Sequence, residues 1–428
     1  MTSSSRALVF VAAIATAVRV GALAVCGARQ QPLEPSVIAA NLNAGRGLTF
    51  EQYGATYRAW KEPLYIVGLA AVMRAWPHPA WPIAVLQCLF GVMTAVGVAA
   101  LAWRLFGDTR RALIAGSLAA LNPFLLYYEV RWIHSLSFDS FLFIATTLAT
   151  LHAITTDRAP MRSAARAGLV TAVALWERSS LFATGCAAWF AGIVTAPRLR
   201  RRIIQRAAIV WTLVALTAFS PWLIRNYRLF GRVIITTDAA HIFWLGNNPW
   251  SNGTYSDSRG HRIIEQAPEA FQRQLAASTE PQQYDLFRRA ALSFIREHPA
   301  RFAQLIVARL WAFVWFSPNA GVEYTQWQQW IYRAAYVPLL MLGLTGFAIS
   351  CRHADPMRRR DAWLIAAAVS GLAVTHALMA INLKHRVPFE LMLSLFAAEP
   401  LARLFATRHL AATDIPLASS EAREPTAA

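Results

Sequence analysis

Charge is scarce in this chain of 428 residues: 15% of its positions are Asp, Glu, Lys or Arg, against about 25% in an average soluble protein. With 56% of its residues hydrophobic, the chain does not read as a soluble globule. Cysteine is sparse as well. Cys26, Cys88, Cys186 and Cys351 lie far apart with no metal-ligand spacing, which excludes a disulfide framework or a zinc-finger-like site and leaves them as small apolar residues. Leu23-Ala24-Val25-Cys26 is a poor lipoprotein cleavage site, because Val25 is too large there, so the first apolar run is expected to remain a helix. No internal repeat is visible, which argues against the paired inverted halves of many transporters.

What the chain does have is apolar runs of about 20 residues, the length that crosses a bilayer. Ten spans are expected, at 7–26, 82–104, 112–128, 135–154, 167–178, 181–196, 207–224, 331–350, 362–381 and 388–405. The net charge of +18 resides largely in short loops: Arg110 and Arg111, then Arg158, Arg162 and Arg166, then Arg198 through Arg206, and Arg352 through Arg360. That is the positive-inside pattern, which assigns these loops to the cytoplasm and accounts for the basicity without nucleic acid. Arginine-rich loops flank both sides of 167–196, so that stretch must go out and return, as two short helices with Trp176-Glu177-Arg178-Ser179 at the outer tip. Short helices of this kind imply a protein-lined cavity at the tip. Segment 301–317 carries Arg301, Arg309, Trp311 and Trp315 and is expected to be interfacial or re-entrant, since a crossing there would put Arg358, Arg359 and Arg360 outside. The fold class is therefore all-α: a polytopic membrane protein with about 10 transmembrane helices, between about 8 and 12, and both termini cytoplasmic.

Residues 1–405 form one integral membrane unit, and 406–428 is expected to be a disordered cytoplasmic tail. Two long outer segments remain, 27–81 and 225–300. The first contains an amphipathic piece at Ser36–Ala44, ended by Gly45 and Gly47, and an apolar helix at 63–76 too short to span; both are expected along the membrane surface. The second contains an irregular stretch, 246–260, and a polar helix, 281–298, ending before Pro299. Polar residues from six segments then map to the outer face: Glu34, Tyr57, Arg58, Lys61, Glu129, Arg131, His134, Glu177, Arg178, Arg225, Asn226, Asn247, Asn248, Lys384, His385 and Arg386. Any one of them reads equally as a snorkelling anchor. Together they make a cavity rich in cations with a few carboxylates, suited to a phosphorylated lipid and a proton-accepting base.

Five segments in order carry a family resemblance. Glu34-Pro-Ser-Val-Ile-Ala-Ala-Asn-Leu-Asn-Ala-Gly-Arg-Gly-Leu-Thr-Phe50 resembles the first outer loop of glycosyltransferase family 39, and Tyr57-Arg58-Ala59-Trp60-Lys61-Glu62-Pro63-Leu64-Tyr65 the segment before its interfacial helix. Pro221-Trp222-Leu223-Ile224-Arg225-Asn226-Tyr227-Arg228-Leu229-Phe230-Gly231 and Trp244-Leu245-Gly246-Asn247-Asn248-Pro249 resemble the bacterial branch, and His385-Arg386-Val387-Pro388-Phe389 its last outer loop. That family includes the protein mannosyltransferases and the aminoarabinose transferase of lipid A. The resemblance implies the membrane-embedded C-type glycosyltransferase architecture in a bacterial cytoplasmic (inner) membrane with the active site facing outward. It further implies inverting transfer of a hexosyl or pentosyl group from a polyprenyl-phosphate sugar to a lipid, glycan or protein acceptor.

The family's base is an acidic residue in the first outer loop, and Glu34 is the matching position. Charge growing on the leaving phosphate calls for fixed cations: Arg225 first, because it ends a helix where the carrier would lie, then Lys61 and Arg386, then Arg58, with Arg178 and Lys384 placed by geometry. Asn247, Asn248, Tyr57, Asn226 and His385 are candidates for the sugar or acceptor, although Asn247 and Asn248 read equally as a turn. At the outer tip of 123–137, where relatives carry an acidic residue, this chain has Ile133, His134 and Ser135, with Glu129 or Asp139 as substitutes. No Asp-x-Asp triplet occurs, which argues against nucleotide-sugar chemistry. No cofactor is called for, no metal ligand is assigned, and a divalent metal is left open. The competing readings are a transporter or flippase for a lipid-linked or anionic solute, and a catalytically inactive relative.

Overall fold

The computed structural model describes residues 3–413, with side chains from 5 to 405; the end of the expected tail, 414–428, lies outside the described residues. Seventeen helices and one small hairpin follow in order. They are α1 (Ser3–Cys26), α2 (Glu34–Asn43), β1 (Phe50–Gln52), β2 (Ala55–Tyr57), α3 (Leu64–Ala75), α4 (Ala80–Phe106), α5 (Thr109–Ala120), α6 (Pro123–Arg131), α7 (Leu136–Thr155) and α8 (Pro160–Glu177). After these come α9 (Phe182–Thr195), α10 (Arg198–Phe230), α11 (Asp238–Gly246), α12 (Glu269–Ala276), α13 (Glu280–Glu297), α14 (Pro299–Val314), α15 (Gln326–Cys351), α16 (Pro356–Leu378) and α17 (Val387–Thr413). The all-α class is as expected.

Six helices, α1, α4, α7, α10, α15 and α16, are long and apolar enough to cross a membrane, and α5 with α6, bent by 45°, makes a seventh if counted as one broken span. The chain is thus an integral membrane protein. The other three expected spans fall on α8, α9 and α17, of which α9 is only 14 residues long. The bend between α5 and α6 has a local cause: Asn122 caps α6 by accepting from Leu125 N at 2.8 Å, with Pro123 in its first turn, where a missing N–H is harmless. Asp108 caps α5 in the same way, accepting from the backbone N–H of Arg110 and Arg111. Helix α10 has 33 residues, about 50 Å at helical rise and far beyond the hydrocarbon core. It therefore carries the chain from the arginine-rich loop to the opposite side before Gly231 (φ +69°) stops it. Small residues set the closest packing: a β-carbon on Gly346 of α15 would run into the Phe396 carbonyl of α17, and one on Gly371 of α16 into the Ala183 carbonyl of α9.

Glu129, expected on the outer face, does not open to a cavity: its carbonyl accepts from Gln30 at the start of the first outer segment, while its carboxylate turns inward. It is buried between α1 and α6, 2.9 Å from Arg19, and the pairing of two charges removed from water accounts for its position. In the stretch expected to go out and return, 167–196, α8 and α9 are joined by a single 3-10 turn, Ser179–Leu181. Helix α14 has 16 residues and does not qualify as a span. Its Arg309 faces inward, donating to the Ala377 carbonyl at 2.7 Å and the Asn247 side chain at 2.9 Å.

The outer segments differ from expectation in two details. A hairpin pairs Phe50 with Tyr57 and Gln52 with Ala55, where only helix and loop were expected. Its turn is Tyr53-Gly54, both with positive φ (49° and 75°), the geometry that matches strand twist in two-residue hairpins. The second segment also contains α11 and α12 ahead of the expected polar helix, which is α13. These parts are laced together. Glu280 of α13 accepts from the backbone N–H of Arg58 and Ala59 and from the Thr237 hydroxyl at 2.7–3.1 Å, so the loop after β2 is fixed against the start of α11.

Candidate functional site

The lacing brings residue 61 opposite residue 238. The Lys61 ammonium lies 2.5 Å from Asp238 Oδ2 and 3.4 Å from Glu34 Oε2, the latter in the first turn of α2. Asp238 is oriented from behind: its Oδ1 is 3.4 Å from His241 Nδ1, and His241 Nε2 is 3.0 Å from the Tyr53 hydroxyl. Burial opposes ionisation of Asp238, but the Lys61 charge and His241 outweigh it and hold the carboxyl at about 2. Burial likewise opposes the Lys61 charge and is outweighed by Asp238 and Glu34, so the ammonium is held above the usual lysine range. Glu34 is the open member, with its side chain 43% exposed.

A second cluster faces the first across the tip of α8. Arg178 binds Asp139 of α7 through Nε (2.7 Å) and Nη2 (2.5 Å). Lys384, in the 3-10 turn Leu383–Arg386 before α17, lies 3.3 Å from His134 Nε2. The rings of His376 and His385 stack with centroids 4.2 Å apart and planes 9° from parallel. Burial, joined by the charges of Lys61 and Arg178, pulls the Lys384 ammonium down to about 8. Burial and the surrounding cations also lower His134 and His385 well below the usual imidazole range. The phenol of Tyr255 is pushed up by burial and by Asp238, with Lys61, Glu34 and Arg178 also acting on it; the two clusters belong to one site. Between the tip of α8, α9, α11 and the end of α16 lies a cleft of about 440 Å³, walled by Glu62, Arg178, Ser179, Ser180, Thr236, Tyr255, Thr375, His376 and His385. Hydroxyl and imidazole groups with one guanidinium can bind a sugar hydroxyl or an anion.

Of the residues expected at the site, Glu34, Lys61 and His385 are brought together here, along with Arg178 and Lys384. The others have different tasks. Arg386 is sealed in: its guanidinium donates to the carbonyls of Phe313 (3.0 Å), Ala312 (2.7 Å) and Trp315 and to the Tyr332 hydroxyl, closing the C-terminus of α14. Arg225 lies over the Trp222 ring and donates to Asn226 Oδ1 at 2.7 Å and the Arg58 carbonyl at 2.9 Å. Arg58 itself is exposed. Tyr57 turns into the interior to donate to Gln283 of α13. Asn226 donates to the carbonyls of Ile234 and Ile235. Asn247 donates to those of Phe243 and Leu378, and Asn248 donates to Trp244 while accepting from Trp250 N, so this pair builds a turn. For Arg386, Arg225, Asn226, Asn247 and Asn248 the common reason is that helix ends and loops leave backbone groups without partners, and these side chains satisfy them.

Asp238, His241, Tyr53, Tyr255 and His376 escaped sequence reasoning, since none falls in a recognised motif; Asp139 was weighed only as a substitute. One compositional signal was available. The chain has 41 lysines and arginines, yet lysine occurs only at positions 61 and 384, and both lysines are in this site. Glu34 and Asp238 already flank the Lys61 ammonium and Asp139 holds Arg178, so the carboxylates a divalent cation would need are engaged with cations. Among the described residues no group of three or more His, Cys, Asp or Glu side chains is placed to hold a metal ion.

No family model and no curated protein sequence matches the chain. Its fold does match solved structures of the oligosaccharyltransferase of the archaeon Archaeoglobus fulgidus. AglB in complex with an inhibitory peptide and a dolichol-phosphate is 14% identical, with 99% of this chain and 52% of that chain covered at a TM-score of 0.54. The apo form is 14% identical over 96% and 51% with a TM-score of 0.57, and the complex with zinc and sulfate 14% over 94% and 50% with 0.55. The chain thus spans about half the length of these structures, and shares with that half the C-type glycosyltransferase fold that the sequence motifs led us to expect.

Proposed function

We propose that the chain is a membrane glycosyltransferase that moves a sugar from a polyprenyl-phosphate carrier to an acceptor at the extracytoplasmic face, in the manner of the bacterial branch of glycosyltransferase family 39. The observation that carries the reading is the convergence, on a C-type glycosyltransferase fold, of an open carboxylate (Glu34) with Lys61 and Arg178 beside a largely apolar cleft that presents the hydroxyls of Ser179, Ser180, Thr236, Tyr255 and Thr375. The dolichol-phosphate bound by the archaeal oligosaccharyltransferase supports a lipid phosphate as the donor class.

In this mechanism an acceptor hydroxyl or amine attacks the anomeric carbon as its proton passes to Glu34. The bond from that carbon to the phosphate oxygen breaks, and its electron pair stays on the phosphate. General-base help of this kind supplies roughly 10² to 10⁴ in rate. Lys61 and Arg178, already fixed by carboxylates, stabilise the growing charge without reorganising. His385, stacked on His376, presents a flat neutral wall to the sugar. The reading is tested by incubating membranes containing the protein with polyprenyl-phosphate sugars and following release of polyprenyl phosphate. Transfer should require Glu34 and Lys61, and turnover that persists without both would end the proposal.

A further inference from the structure

The two lysines are held in opposite ways. Lys61 has carboxylates on two sides, at 2.5 and 3.4 Å. Lys384 pairs with no carboxylate among the described residues; its side-chain contact is His134 Nε2 at 3.3 Å. The polarity of that contact is fixed by the other ring nitrogen. The backbone N–H of Leu136 donates to His134 Nδ1 at 3.0 Å, so Nδ1 presents a lone pair and Nε2 carries the hydrogen. An ammonium has three donors and no acceptor. Facing an N–H, only a neutral amine completes the hydrogen bond.

We propose that Lys384 exchanges between amine and ammonium in the resting site and is held as the ammonium when the anionic phosphate of the carrier docks beside it, the missing fraction of a proton coming from solvent. The step balances: one amine and one proton give one ammonium, which pairs with one phosphate charge. The surroundings favour such a poise. Lys61 after β2, Glu34 on α2, Arg178 at the tip of α8 and Asp238 on α11 act on its charge, while Asp139 on α7, His376 on α16 and His385 on the same turn line a small cavity with it. Asp139 is engaged by Arg178, and Asp238 and Glu34 are both in contact with Lys61, not with Lys384. Burial has drawn the ammonium down to about 8, and an incoming anion then raises the share of Lys384 that carries a charge. The inference rests on the proposed carrier site.

Its test has two arms on the full chain in lipid nanodiscs. The first acylates wild-type protein across pH and reads each lysine by mass spectrometry, which is simple because there are two. Lys384 should label with a midpoint near 8, and a midpoint near the ordinary lysine value of about 10.4 would overturn the proposal without touching the glycosyl-transfer reading. The second titrates a short-chain prenyl phosphodiester, whose single charge does not change near pH 8, in buffers of different ionisation enthalpy. Binding at pH 8 should take up about half a proton, and affinity should fall about five-fold from pH 8 to pH 9. Lys384→Arg should bind with neither effect, because its charge is permanent. Binding without uptake, or unchanged uptake in Lys384→Arg, removes Lys384 from the role. Failure of the diester to bind at all would sink the carrier-site reading, leaving the labelling midpoint to decide the state of Lys384.

Discussion

Arg386 and Asp238 are both buried polar residues, and they lead to opposite expectations. Arg386 meets three carbonyls at the end of α14 and the Tyr332 hydroxyl. Its removal leaves buried acceptors without donors, each costing about 1–3 kcal/mol. Arg386→Ala should therefore lower the unfolding temperature by several degrees while the surviving protein keeps its KM for the carrier. A raised KM at unchanged thermal stability would return Arg386 to the site. Asp238 contributes through its depressed carboxyl. Its pairing is fully present above the unfolded value of about 3.9 and is lost as pH falls through about 2, because protonation releases Lys61 and His241. Asp238→Asn should flatten that part of the dependence of stability on pH between 5 and 2, and a variant whose acid profile overlays the wild type would show that the pair adds nothing. What sequence reasoning saw at this scale was the motif positions. It found Glu34 and Lys61, whose side chains face the site, but ranked Arg225 first among the cations, placed Arg386 level with Lys61 and offered Asn226 and Asn247 as sugar or acceptor ligands, and the side chains of these four donate to backbone groups. The two kinds look alike in a sequence because helix ends and binding sites use the same residues for the same hydrogen-bonding reason.

At the scale of elements, apolar periodicity and arginine placement located every expected span on a helix, including the short pair α8 and α9. They could not foresee the Tyr53-Gly54 hairpin, which needs a non-glycine residue at φ 49°, nor α11, whose nine residues are stabilised by packing against α13 more than by any local signal. Orientation follows from the arginine loops. In a variant lacking Cys26, Cys88, Cys186 and Cys351, single cysteines placed in 155–166, 198–205 and 352–360 should react with a membrane-impermeant thiol reagent only from the cytoplasmic side. Reaction of 352–360 from the outside would mean that α14 crosses, and would put Lys384 on the far side from Lys61, against the single site built here.

Seen as a whole molecule, the chain separates its basic residues by kind. Arginine in the short loops orients the helices and ties their ends: Arg200 reaches the carbonyls that end α7, and Arg111, Arg358 and Arg403 surround the buried Glu399. Lysine is confined to the site. A membrane protein needs its arginines at the boundary to resist deprotonation, whereas a lysine shifts with its surroundings, so lysine suits a proton-sensitive role at the site. The proposed reaction is transfer of a sugar from a lipid phosphate with Glu34 as the base. It is tested most directly in membranes carrying wild-type or Glu34→Gln protein, supplied with radiolabelled polyprenyl-phosphate sugars and followed for loss of donor and appearance of labelled acceptor. The account predicts donor consumption by the wild type and a fall of roughly 10² or more in Glu34→Gln, with the variant still present in the membrane. Equal turnover in the two proteins would contradict it.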